Sequence, residues 1–499
     1  MPTATLLEAL ADKTVLGPIP ATVGGVAYDS RTVKPGDLFV AVPGLRQDGR
    51  CFVEDALARG AAAVVLEGPD LFEGGATPRV LVPSSREALA RLADAYFGHP
   101  SGKLTVIGIT GTNGKTTTSY LVDALLTAGG QRTGLIGTVQ YRVGAEVIPA
   151  GQTTPEAVEL QSLLRRMVNA GVTAVAMEVS SHALALSRVD GIDFDIAVFT
   201  NLTQDHLDFH GTMDAYREAK RRLFALLAAG LKSGRTAVVN ADDPSGVSMV
   251  AGLPLPTITY GIRGRADVRP ARWTSGAEGI RMSVRTPAGH LDIASPLVGE
   301  HNVMNLLAAA GVGVALGIAP DAIGRALGSV GSVPGRFERV EAGQPFLVIV
   351  DYAHTPDALE RTLETAQKLR GPGGRLAVVF GCGGDRDRGK RPLMGAIASR
   401  LADRVWITSD NPRSERPEAI IADIVAGIPA KSPGGPALDR HETIPDRKVA
   451  IHQALDWARA GDVVVIAGKG HETYQVVGSE VLPFDDRTHA RAALAGSAT

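Results

Sequence analysis

The chain has 499 residues, of which 44% are hydrophobic and 21% are charged, and its formal net charge is −2 at pH 7. This length is too great for one ordinary hydrophobic core, so we expect about three domains of roughly 100 to 200 residues each. The composition is typical of a globular protein, and the near-neutral charge gives no electrostatic reason to expect a nucleic-acid partner.

The first residues, MPTATLLEALADKTVLG, contain acidic residues among the apolar ones and no basic leader. No window reaches the roughly 18 uncharged apolar residues that a membrane-spanning helix needs. We therefore expect a cytoplasmic protein with no membrane insertion. Two cysteines, Cys51 and Cys382, are too few and too distant for a disulfide framework, and we interpret each as a buried or loop thiol.

Residues 1–100 combine short predicted strands with helices. The apolar runs GDLFVAV, AAAVVLE and RVLVP predict strands, and REALARLADAYFG predicts a helix. The HPSGK segment that follows breaks the periodicity and marks a linker. A first domain is therefore predicted to end near residue 100.

From residue 103 onward, β-branched runs alternate with Ala/Leu-rich helical stretches. The runs LTVIGIT, TAVAMEVSS, IAVFTNL and TAVVNADD each end in a polar loop. This alternation predicts a parallel sheet covered by helices, in a central domain over residues 101–335.

A second series of strands begins near SVPGRFERV and contains FLVIVDYAHTP, RLAVVFGCGGDRDRG, RVWITSDNPR and DVVVIAGKGHE. It predicts a doubly wound, Rossmann-like domain over residues 336–499. The fold class that we expect is therefore α/β, with a central phosphate-loop domain between an N-terminal and a C-terminal α/β domain.

The stretch VIGITGTNGKTTT, residues 106–118, is the strongest functional motif. Standard phosphate-loop spacing requires glycine five residues before Gly114, where Ile109 stands, so the loop is a variant. The context of a strand, a glycine-containing turn and a helix N-terminus is still the one that binds phosphate. We interpret it as a nucleotide-binding loop in which Lys115 neutralises the β/γ-phosphates and Thr116 ligates Mg²⁺, with a merely structural turn as the alternative.

Candidate metal ligands follow two other strands of the central domain. Glu178 in MEVSSH and His206 in NLTQDHLDFHG should both reach the carboxyl edge of the sheet that carries the phosphate loop. The alternatives are a helix-capping role for Glu178 and an ordinary surface or buried imidazole for His206. Lys220, in AYREAKRRLF, is by spacing alone typical of a solvated helix face.

Charged and polar residues follow every strand of the C-terminal series. If these strands are parallel, their loops bring together Asp351, His354, Arg386, Asp410, Asn411, Arg413, Lys469, His471 and Glu472. A pocket with both carboxylates and guanidiniums suits a small zwitterion, because carboxylates bind ammonium groups and arginine binds carboxylates. A network of internal ion pairs is the alternative.

Ten motifs, in chain order, resemble those of the Mur ligase family: ITGTNGKTT, MEVSSH, NLTQDHLDFHG, AYREAKRRLF, GEHNVMN, PGRFE, VDYAHTP, GCGGDRDRGKRPLM, SDNPRSE and GKGHE. The resemblance covers nearly the whole chain. It implies an ATP- and Mg²⁺-dependent ligase of peptidoglycan precursor synthesis that extends a UDP-muramoyl dipeptide. The D-glutamate carboxylate of that substrate would attack ATP to form an acyl phosphate, which the amine of an incoming amino acid then attacks.

The resemblance also implies roles for residues around the nucleotide. It implies nucleotide contacts by Gly111, Thr112, Asn113, Gly114, Lys115, Thr116 and Thr117, and by Asn302, Arg336 and Asp351 across a domain interface that closes during the reaction. It implies a catalytic set of Lys115, Glu178, His206 and Lys220, with one Mg²⁺ on Thr116 and Glu178 and a second near His206 and a carbamylated Lys220. Carbamylation turns a cation into an anionic oxygen ligand, which Mg²⁺ prefers.

The substrate residues are implied in the same way. The uridine diphosphate would lie at Tyr28, Ser30, Leu45, Arg46 and Gln47, and the muramoyl peptide at Thr153, Thr154, Ser180 and Arg188. The string Asp410-Asn411-Pro412-Arg413 resembles the signature of family members that add meso-diaminopimelate, since Arg413 offers a fork to its distal carboxylate. Arg386, Gly468 and Glu472 would complete that pocket, with Glu472 facing an ammonium. We expect a monomer whose partners are these small molecules.

Three alternatives are kept. A sister ligase of the family would add L-lysine or a dipeptide instead. A GTPase switch or motor would also carry a phosphate loop, but no guanine-reading NKxD string occurs. A non-catalytic nucleotide-binding scaffold would have no need for Glu178, His206 and Lys220, and a phosphate-release assay separates it from an enzyme.

Overall fold

A computed structural model of the chain describes residues 1–44, 47–69, 78–429 and 441–496. Leu45 and Arg46, two residues of the predicted uridine diphosphate site, lie outside the described residues. The described chain forms three α/β domains, which confirms the predicted fold class. Across the described ranges, none of the helices combines the length and the apolar composition that a bilayer crossing requires.

The N-terminal domain is built on a five-stranded sheet. Its elements are α1 (Thr3–Leu7), β1 (Thr14–Leu16), β2 (Val26–Ala27), β3 (Leu38–Val40), α2 (Val53–Ala58), β4 (Ala63–Glu67), β5 (Arg79–Val82) and α3 (Ser85–Tyr96). The strand order is β1-β5-β4-β3-β2, and only β1 runs antiparallel to its neighbour. The predicted strands and the predicted helix α3 are all present, and the Ser84 hydroxyl caps α3 by accepting from the backbone N–H of Glu87.

The central domain is built on an eight-stranded sheet. Its elements up to the sheet's last strand are β6 (Thr105–Thr110), α4 (Lys115–Ala128), β7 (Thr133–Ile136), β8 (Gln140–Val143), β9 (Glu146–Pro149), α5 (Ala157–Asn169), β10 (Ala174–Glu178), α6 (Ser181–Ala185), β11 (Ile196–Phe199), α7 (Leu207–His210), α8 (Met213–Ala229), β12 (Thr236–Asn240), α9 (Gly246–Val250) and β13 (Thr257–Tyr260). The order is β13-β12-β11-β6-β10-β7-β8-β9, parallel from β13 to β7 and antiparallel at β8 and β9. Because β10 and β11 flank β6, the residues that follow all three strands meet at one edge.

A three-stranded antiparallel sheet completes the central domain, and the strand pattern had not predicted it. It comprises β14 (Arg269–Gly276), β15 (Gly279–Thr286) and β16 (Gly289–Ser295), followed by α10 (Glu300–Ala315) and α11 (Pro320–Gly328). Along β15, Ile280, Met282 and Val284 are buried in the same core cluster as Ile323 of α11, while Arg281 and Arg285 are exposed. This alternation with a period of two residues is the sequence signal for a sheet with one solvated face.

The C-terminal domain contains a six-stranded sheet and a separate hairpin. Its elements are β17 (Glu338–Arg339), β18 (Leu347–Asp351), α12 (Pro356–Lys368), β19 (Leu376–Phe380), α13 (Lys390–Leu401), β20 (Arg404–Ile407), α14 (Pro417–Val425), β21 (His441–Thr443), α15 (Arg447–Trp457), β22 (Val463–Ala467), β23 (Tyr474–Val477), β24 (Glu480–Pro483) and α16 (Asp486–Gly496). The order is β17-β18-β22-β19-β20-β21, parallel except at β17, and β23 pairs with β24. The four predicted strands are therefore parallel neighbours whose carboxyl ends share one edge.

Candidate active site

The phosphate loop lies between β6 and α4 and depends on two glycines. Gly111 and Gly114 have φ values of +149° and +87°. A Cβ atom would lie 1.8 Å from the Thr200 hydroxyl at Gly111 and 2.4 Å from the Asn305 amide oxygen at Gly114. Both positions therefore require glycine, for backbone conformation and for space.

Lys115 opens α4 and turns back over the loop. Its Nζ donates to the carbonyl oxygens of Gly111 at 2.9 Å and Thr112 at 2.8 Å. Burial lowers the pKa of Lys115, and the nearby carboxylates of Glu178 and Asp205 act in the opposite direction. The ammonium is thus held at the loop by weak carbonyl partners that a phosphate could replace.

Thr116 and Glu178 form a pair of oxygen ligands beside the helix N-terminus. The Thr116 hydroxyl donates to Glu178 Oε2 at 3.1 Å, and Glu178 is only 1% exposed. Thr138 donates to Glu178 twice, from its backbone N–H at 2.8 Å and from its hydroxyl at 2.9 Å. The sequence did not single out Thr138. The preceding residue, Gly137, could have pointed to this position in the sequence. Its glycine is required because a Cβ there would lie 2.4 Å from the Glu178 carboxylate.

The pair fits Mg²⁺, which proteins usually hold through one or two carboxylates together with substrate phosphates. Within the described ranges, no group of three or more His, Cys, Asp and Glu side chains could hold a metal ion by itself. Thr116 and Glu178 lie where a nucleotide on the loop would supply the further oxygens.

His206 lies at the same sheet edge, in a left-handed backbone conformation with φ +54°. Its Nε2 is 3.3 Å from Asp205 Oδ2, and its ring packs edge-on against Tyr216. The Tyr216 hydroxyl in turn hydrogen-bonds Thr112 of the phosphate loop at 3.1 Å. Burial lowers the pKa of His206 to about 4, so the imidazole is neutral at pH 7.

Lys220 is buried, and its interpretation as part of a solvated helix face is wrong. Only 1% of the residue is exposed, and its Nζ donates to the Gly111 carbonyl at 2.9 Å and lies 4.3 Å above the Tyr216 ring. Among the residues that the structure describes, no carboxylate lies within 4.0 Å of this ammonium group. Burial, followed by the charge of Lys115, places the pKa of Lys220 well below its usual value.

A cavity of about 380 Å³ opens between the phosphate loop and the C-terminal domain, within the usual range for small-molecule sites. Its lining includes the predicted nucleotide residues Asn113, Gly114, Thr117, Asn302, Arg336 and Asp351. It also includes residues that the sequence had not assigned to the nucleotide, among them Asn201, Asp243, His301, Tyr352, His354 and Arg361. His354 was predicted in the amino-acid pocket, and the structure instead places it here.

Two contacts join the domains across this cavity. Arg336 donates from Nη2 to the Thr116 hydroxyl at 3.1 Å, and its guanidinium lies 4.3 Å from the Tyr352 ring centre. The Asn113 amide donates to Asp357 Oδ2 at 2.8 Å. The C-terminal domain therefore reaches the hydroxyl that is predicted to ligate the metal.

The other two predicted cross-interface residues are held by local hydrogen bonds. Asp351 accepts from the backbone N–H groups of Phe337 and Ala353 and from the Thr362 hydroxyl, at 2.6, 2.9 and 3.0 Å. Asn302 donates to the Val298 carbonyl at 2.8 Å and accepts from the Asn305 amide at 3.0 Å.

The residues predicted to hold the muramoyl peptide form one hydrogen-bonded group next to Glu178. Thr153 and Thr138 share a hydroxyl hydrogen bond of 3.1 Å, and the Thr154 hydroxyl donates to the Glu178 carbonyl at 2.9 Å. Ser180 lies 3.4 Å from the Thr154 hydroxyl, and Arg188 donates to the Thr154 carbonyl at 3.1 Å. The group therefore contacts the Glu178 backbone directly through Thr154 and the Glu178 carboxylate through Thr138.

The predicted uridine diphosphate residues are less closely connected. The Tyr28 hydroxyl donates to Glu159 at 3.1 Å, and burial together with that carboxylate raises the Tyr28 pKa. Ser30 is buried and hydrogen-bonds the Asp55 carboxylate. Gln47 is exposed, and its carbonyl accepts from the backbone N–H of Gly44 at 2.9 Å.

The predicted amino-acid pocket contains an interconnected set of side chains, Asp410, Asn411, Lys469 and Glu472, which we call the amino-acid cluster. Glu472 Oε2 accepts from the Asn411 amide at 2.8 Å and from Lys469 Nζ at 3.0 Å. Lys469 and Glu472 therefore form an internal ion pair. Gly468 lies against the cluster, since a Cβ at this glycine would be 2.6 Å from Asp410 Oδ2.

Arg413 differs from these residues in its surroundings. It has a left-handed backbone with φ +53°, and its Nη1 donates to the Gly384 carbonyl at 2.7 Å. Over the described part of the chain, no carboxylate lies within 4.0 Å of its guanidinium. Pro412 is buried beside it, with its carbonyl oxygen against Gly384.

Arg386 is less well placed than the sequence predicted. It is exposed and donates to the carbonyl of Asp385 at 3.2 Å. Its side chain and that of Arg413 both lie against Gly383, where a Cβ atom would be 3.8 Å from Arg386 Cγ and 2.9 Å from Arg413 Nη1. The two arginines therefore lie against the same glycine.

Models of three protein families match the chain in succession. The model described as "Mur ligase family, catalytic domain" matches residues 22–97, "Mur ligase middle domain" matches residues 109–313, and "Mur ligase, glutamate ligase domain" matches residues 335–470. The matched ranges contain the phosphate loop, both domains of the cavity and every member of the amino-acid cluster except Glu472.

The chain is also similar to proteins over nearly its whole length. It is 50% identical to UDP-N-acetylmuramoyl-L-alanyl-D-glutamate–2,6-diaminopimelate ligase of Geobacillus kaustophilus over 468 residues, covering 93% of this chain and 94% of the relative. It is 45% identical to a UDP-N-acetylmuramyl-tripeptide synthetase of Roseiflexus sp., with 98% of both chains covered. A solved structure of a UDP-N-acetylmuramoyl-L-alanyl-D-glutamate–2,6-diaminopimelate ligase superposes with a TM-score of 0.67 at 37% identity, over 96% of both chains.

Proposed function

The chain belongs to the Mur ligase family, and from this we propose that it is an ATP-dependent ligase that adds meso-diaminopimelate to UDP-N-acetylmuramoyl-L-alanyl-D-glutamate. The reaction would form an amide bond during peptidoglycan precursor synthesis. Family membership removes the GTPase and scaffold alternatives. A sister ligase that adds L-lysine or a dipeptide is the alternative that an assay must exclude.

The observation that carries the proposal is the hydrogen bond from Arg336 to the Thr116 hydroxyl, which itself donates to Glu178. It joins the phosphate loop, an acidic oxygen ligand and the C-terminal domain at one point beside a cavity of about 380 Å³. A nucleotide in this cavity would have its phosphates at the N-terminus of α4, where backbone N–H groups favour anions.

Each residue at this point has a definite task in the proposal. Lys115 would exchange its two carbonyl partners for phosphate oxygens, and Arg336 would approach the same charge from the other domain. Thr116 and Glu178 would hold Mg²⁺, which when bound offsets the repulsion between a carboxylate and a triphosphate. Asn302 and Asp351 would contact the remainder of the nucleotide from the cavity wall.

The reaction then proceeds in two steps. The D-glutamate carboxylate attacks the γ-phosphorus of ATP, ADP leaves, and an acyl phosphate forms. The uncharged amine of the incoming amino acid attacks the acyl carbon, phosphate leaves, and a proton is released as the amide forms. Thr153, Thr154, Ser180 and Arg188 would hold the muramoyl peptide, because this group contacts Glu178 both directly through Thr154 and through Thr138.

The amino acid would bind between the amino-acid cluster and the arginine beside it. Asp410 and Glu472 supply carboxylates for an ammonium group. Arg413 supplies a guanidinium with no carboxylate partner within the described chain, which suits the distal carboxylate that lysine lacks. Arg386 lies against the same glycine, Gly383, and would contact the same carboxylate.

Further parts of the proposal concern the second metal and the chain as a whole. A second Mg²⁺ would lie near His206 and a carbamylated Lys220, and Tyr28, Ser30, Leu45, Arg46 and Gln47 would hold the uridine diphosphate. The domains would span residues 1–100, 101–335 and 336–499. The enzyme would act as a monomer in the cytoplasm, where ATP is supplied.

An omission assay tests the proposal. ADP release is measured with ATP, Mg²⁺, the UDP-muramoyl dipeptide and each member of an amino-acid panel, and then with each component left out. We expect ADP release only when nucleotide, dipeptide and meso-diaminopimelate are all present. Steady ADP release without the dipeptide would contradict the proposed reaction.

A further inference from the structure

Lys469 is a buried cation that the proposed reaction does not use. It follows β22 and is 0% exposed, although lysine is rarely buried without a partner. Its Nζ lies 3.0 Å from Glu472 Oε2, 3.1 Å from Asn411 Oδ1 and 4.0 Å from Asp410 Oδ1. One ammonium group therefore contacts the other three members of the amino-acid cluster.

Two glycines place this side chain beneath the cluster. Gly468 and Gly470, on either side of Lys469, have φ values of +111° and +54°. A Cβ at Gly468 would lie 2.6 Å from the Asp410 carboxylate, and one at Gly470 would lie 2.7 Å from the Gly335 carbonyl. The chain can approach both neighbours only through glycine, so the loop conformation fixes the position of Lys469.

Lys469 also orients the Asn411 amide. Asn411 Oδ1 accepts from Lys469 Nζ at 3.1 Å and from the Val476 backbone N–H at 3.0 Å. Because both neighbours are donors, the oxygen must face them, and the amide NH₂ is left to donate to Glu472 Oε2 at 2.8 Å. The amide orientation thus follows from the lysine.

The negative and positive charges of the amino-acid cluster do not cancel. Asp410 and Glu472 can carry two negative charges, and Lys469 carries one positive charge. Among the described residues, the ionisable groups that act on Glu472 from neighbouring elements include Tyr352, Tyr474 and Arg447. Arg447 is neutralised by its buried ion pair with Asp486 at 2.8 Å. One negative charge therefore remains for a ligand.

We propose that Lys469 is a positioning residue that fixes Asn411 and Glu472 and supplies the positive charge that offsets one of the two carboxylates of the cluster, so that the pocket binds one ammonium group of the amino acid. Without the lysine, two buried carboxylates would lie close together, and such pairs share a proton. Burial and Asp410 already raise the Glu472 pKa, and Lys469 opposes them. This inference rests on the proposed function, because it concerns the same amino-acid site.

Two neutral variants of the full-length enzyme test the inference. Lys469→Met removes the charge and the donors, and Lys469→Gln keeps a donor. The matched control is Lys368→Met, at an exposed lysine in α12 of the same domain. Saturation curves are measured for meso-diaminopimelate, ATP and the UDP-muramoyl dipeptide, together with thermal unfolding.

We expect both variants to raise the KM for meso-diaminopimelate at least about tenfold, because an unbalanced buried charge weakens binding by more than about 1.4 kcal/mol. The KM for ATP should stay within about twofold, because Lys469 contacts no residue of the phosphate loop. The ratio of variant to wild-type KM should fall as the pH is raised, because a higher pH removes the proton that two close carboxylates share. Lys469→Arg should recover part of the affinity.

The outcomes separate this inference from the proposed function. Wild-type enzyme that does not use meso-diaminopimelate contradicts the proposed function. Wild-type enzyme that uses it, with neutral variants whose KM is unchanged or whose KM ratio does not vary with pH, overturns the inference alone. Loss of cooperative unfolding in both neutral variants also overturns it, because Lys469 would then serve the stability of the domain.

Discussion

Lys115 and Lys220 donate to the same oxygen atom, the carbonyl of Gly111, each at 2.9 Å. The two ammonium groups are 105 positions apart in the chain, and they approach each other because α4 and α8 both lie against the phosphate loop. Burial lowers the pKa of both lysines, and the Lys115 charge lowers that of Lys220 further. Both effects favour the uncharged amine of Lys220, which is the form that reacts with carbon dioxide to give a carbamate and a released proton.

Replacement of Lys220 tests this consequence. If its carbamate supplies oxygen ligands to a second Mg²⁺, Lys220→Ala should lose activity and regain part of it when a short carboxylic acid is added, since a free carboxylate can replace the missing oxygens. Lys115→Ala is the matched control and should not respond to the acid. A fully active Lys220→Ala, or equal rescue of both variants, would contradict the carbamate.

Lys115 itself should be essential for turnover but not for folding. Lys115→Ala removes a charge that would stabilise the transferring phosphoryl group, so we expect ADP release to fall at least about 100-fold. Lys103→Ala, at an exposed lysine near the start of β6, is the control and should behave like wild type. Circular dichroism checks that both variants fold. Near-normal turnover of Lys115→Ala would contradict the proposal that the phosphate loop binds ATP.

Glu178 should determine the magnesium requirement. Glu178→Gln keeps the size of the side chain but removes the charge beside Thr116, so the Mg²⁺ concentration for half-maximal rate should rise at least about tenfold. Glu146→Gln, at an exposed glutamate in β9, serves as the control. An unchanged Mg²⁺ titration curve in Glu178→Gln would show that the metal lies elsewhere.

Arg413 should determine which amino acid is accepted. Removing one partner of a buried arginine–carboxylate pair costs about 2 to 5 kcal/mol, so Arg413→Ala should raise the KM for meso-diaminopimelate about 30-fold or more. The KM for ATP should hardly change. Arg416→Ala, three positions away on a side chain that is 84% exposed, controls for general loop effects. If Arg413→Ala leaves the KM for meso-diaminopimelate unchanged, Arg413 does not bind the distal carboxylate.

Glu415 should make the stability of the folded protein depend on pH. Its contacts with the buried Arg391 and the Asp385 backbone lower its pKa from 4.5 to about 2. A carboxyl group whose pKa is lower in the folded state stabilises that state above its unfolded pKa, near 4.5, and this stabilisation is lost as the pH falls toward about 2.

Thermal unfolding of Glu415→Gln measures this effect. The melting temperature should lie below that of wild type at pH 7, and the difference should shrink steadily below pH 4.5, because Glu415 of the unfolded wild-type chain takes up a proton there while the folded state still holds the charge. Glu418→Gln, at an exposed position in α14, is the control. A difference of the same size at pH 7 and pH 2.5 would contradict the role of the Glu415 charge.

The strands around the site could be predicted from the sequence because buried parallel strands are continuous β-branched runs. Strands β14 to β16 and the hairpin β23–β24 were not predicted, since solvated antiparallel strands have a weaker apolar signal. The left-handed Arg413 could not be foreseen either. Its backbone is held by two hydrogen bonds with the hairpin, to Val476 and from Gly478, which are far away in sequence.

Lys220 shows how a usable signal was missed. The neighbouring arginines suggested a solvated helix face. Four apolar or aromatic residues of α8 are buried around Lys220. Tyr216 stands four positions before it, and Leu223, Phe224 and Leu227 stand three, four and seven positions after it. That spacing defines one face of a helix, so Lys220 lies on the buried side. A lysine in an apolar stripe was the signal for an unusual role.

A competition experiment tests the central claim most directly. Wild-type enzyme is incubated with ATP, Mg²⁺, the UDP-muramoyl dipeptide and equal concentrations of meso-diaminopimelate and L-lysine, and the products are identified by mass spectrometry. We predict a single tripeptide product that contains diaminopimelate, formed with an equal amount of ADP. A lysine-containing product in comparable amount, or ADP formed without any tripeptide, would contradict the account.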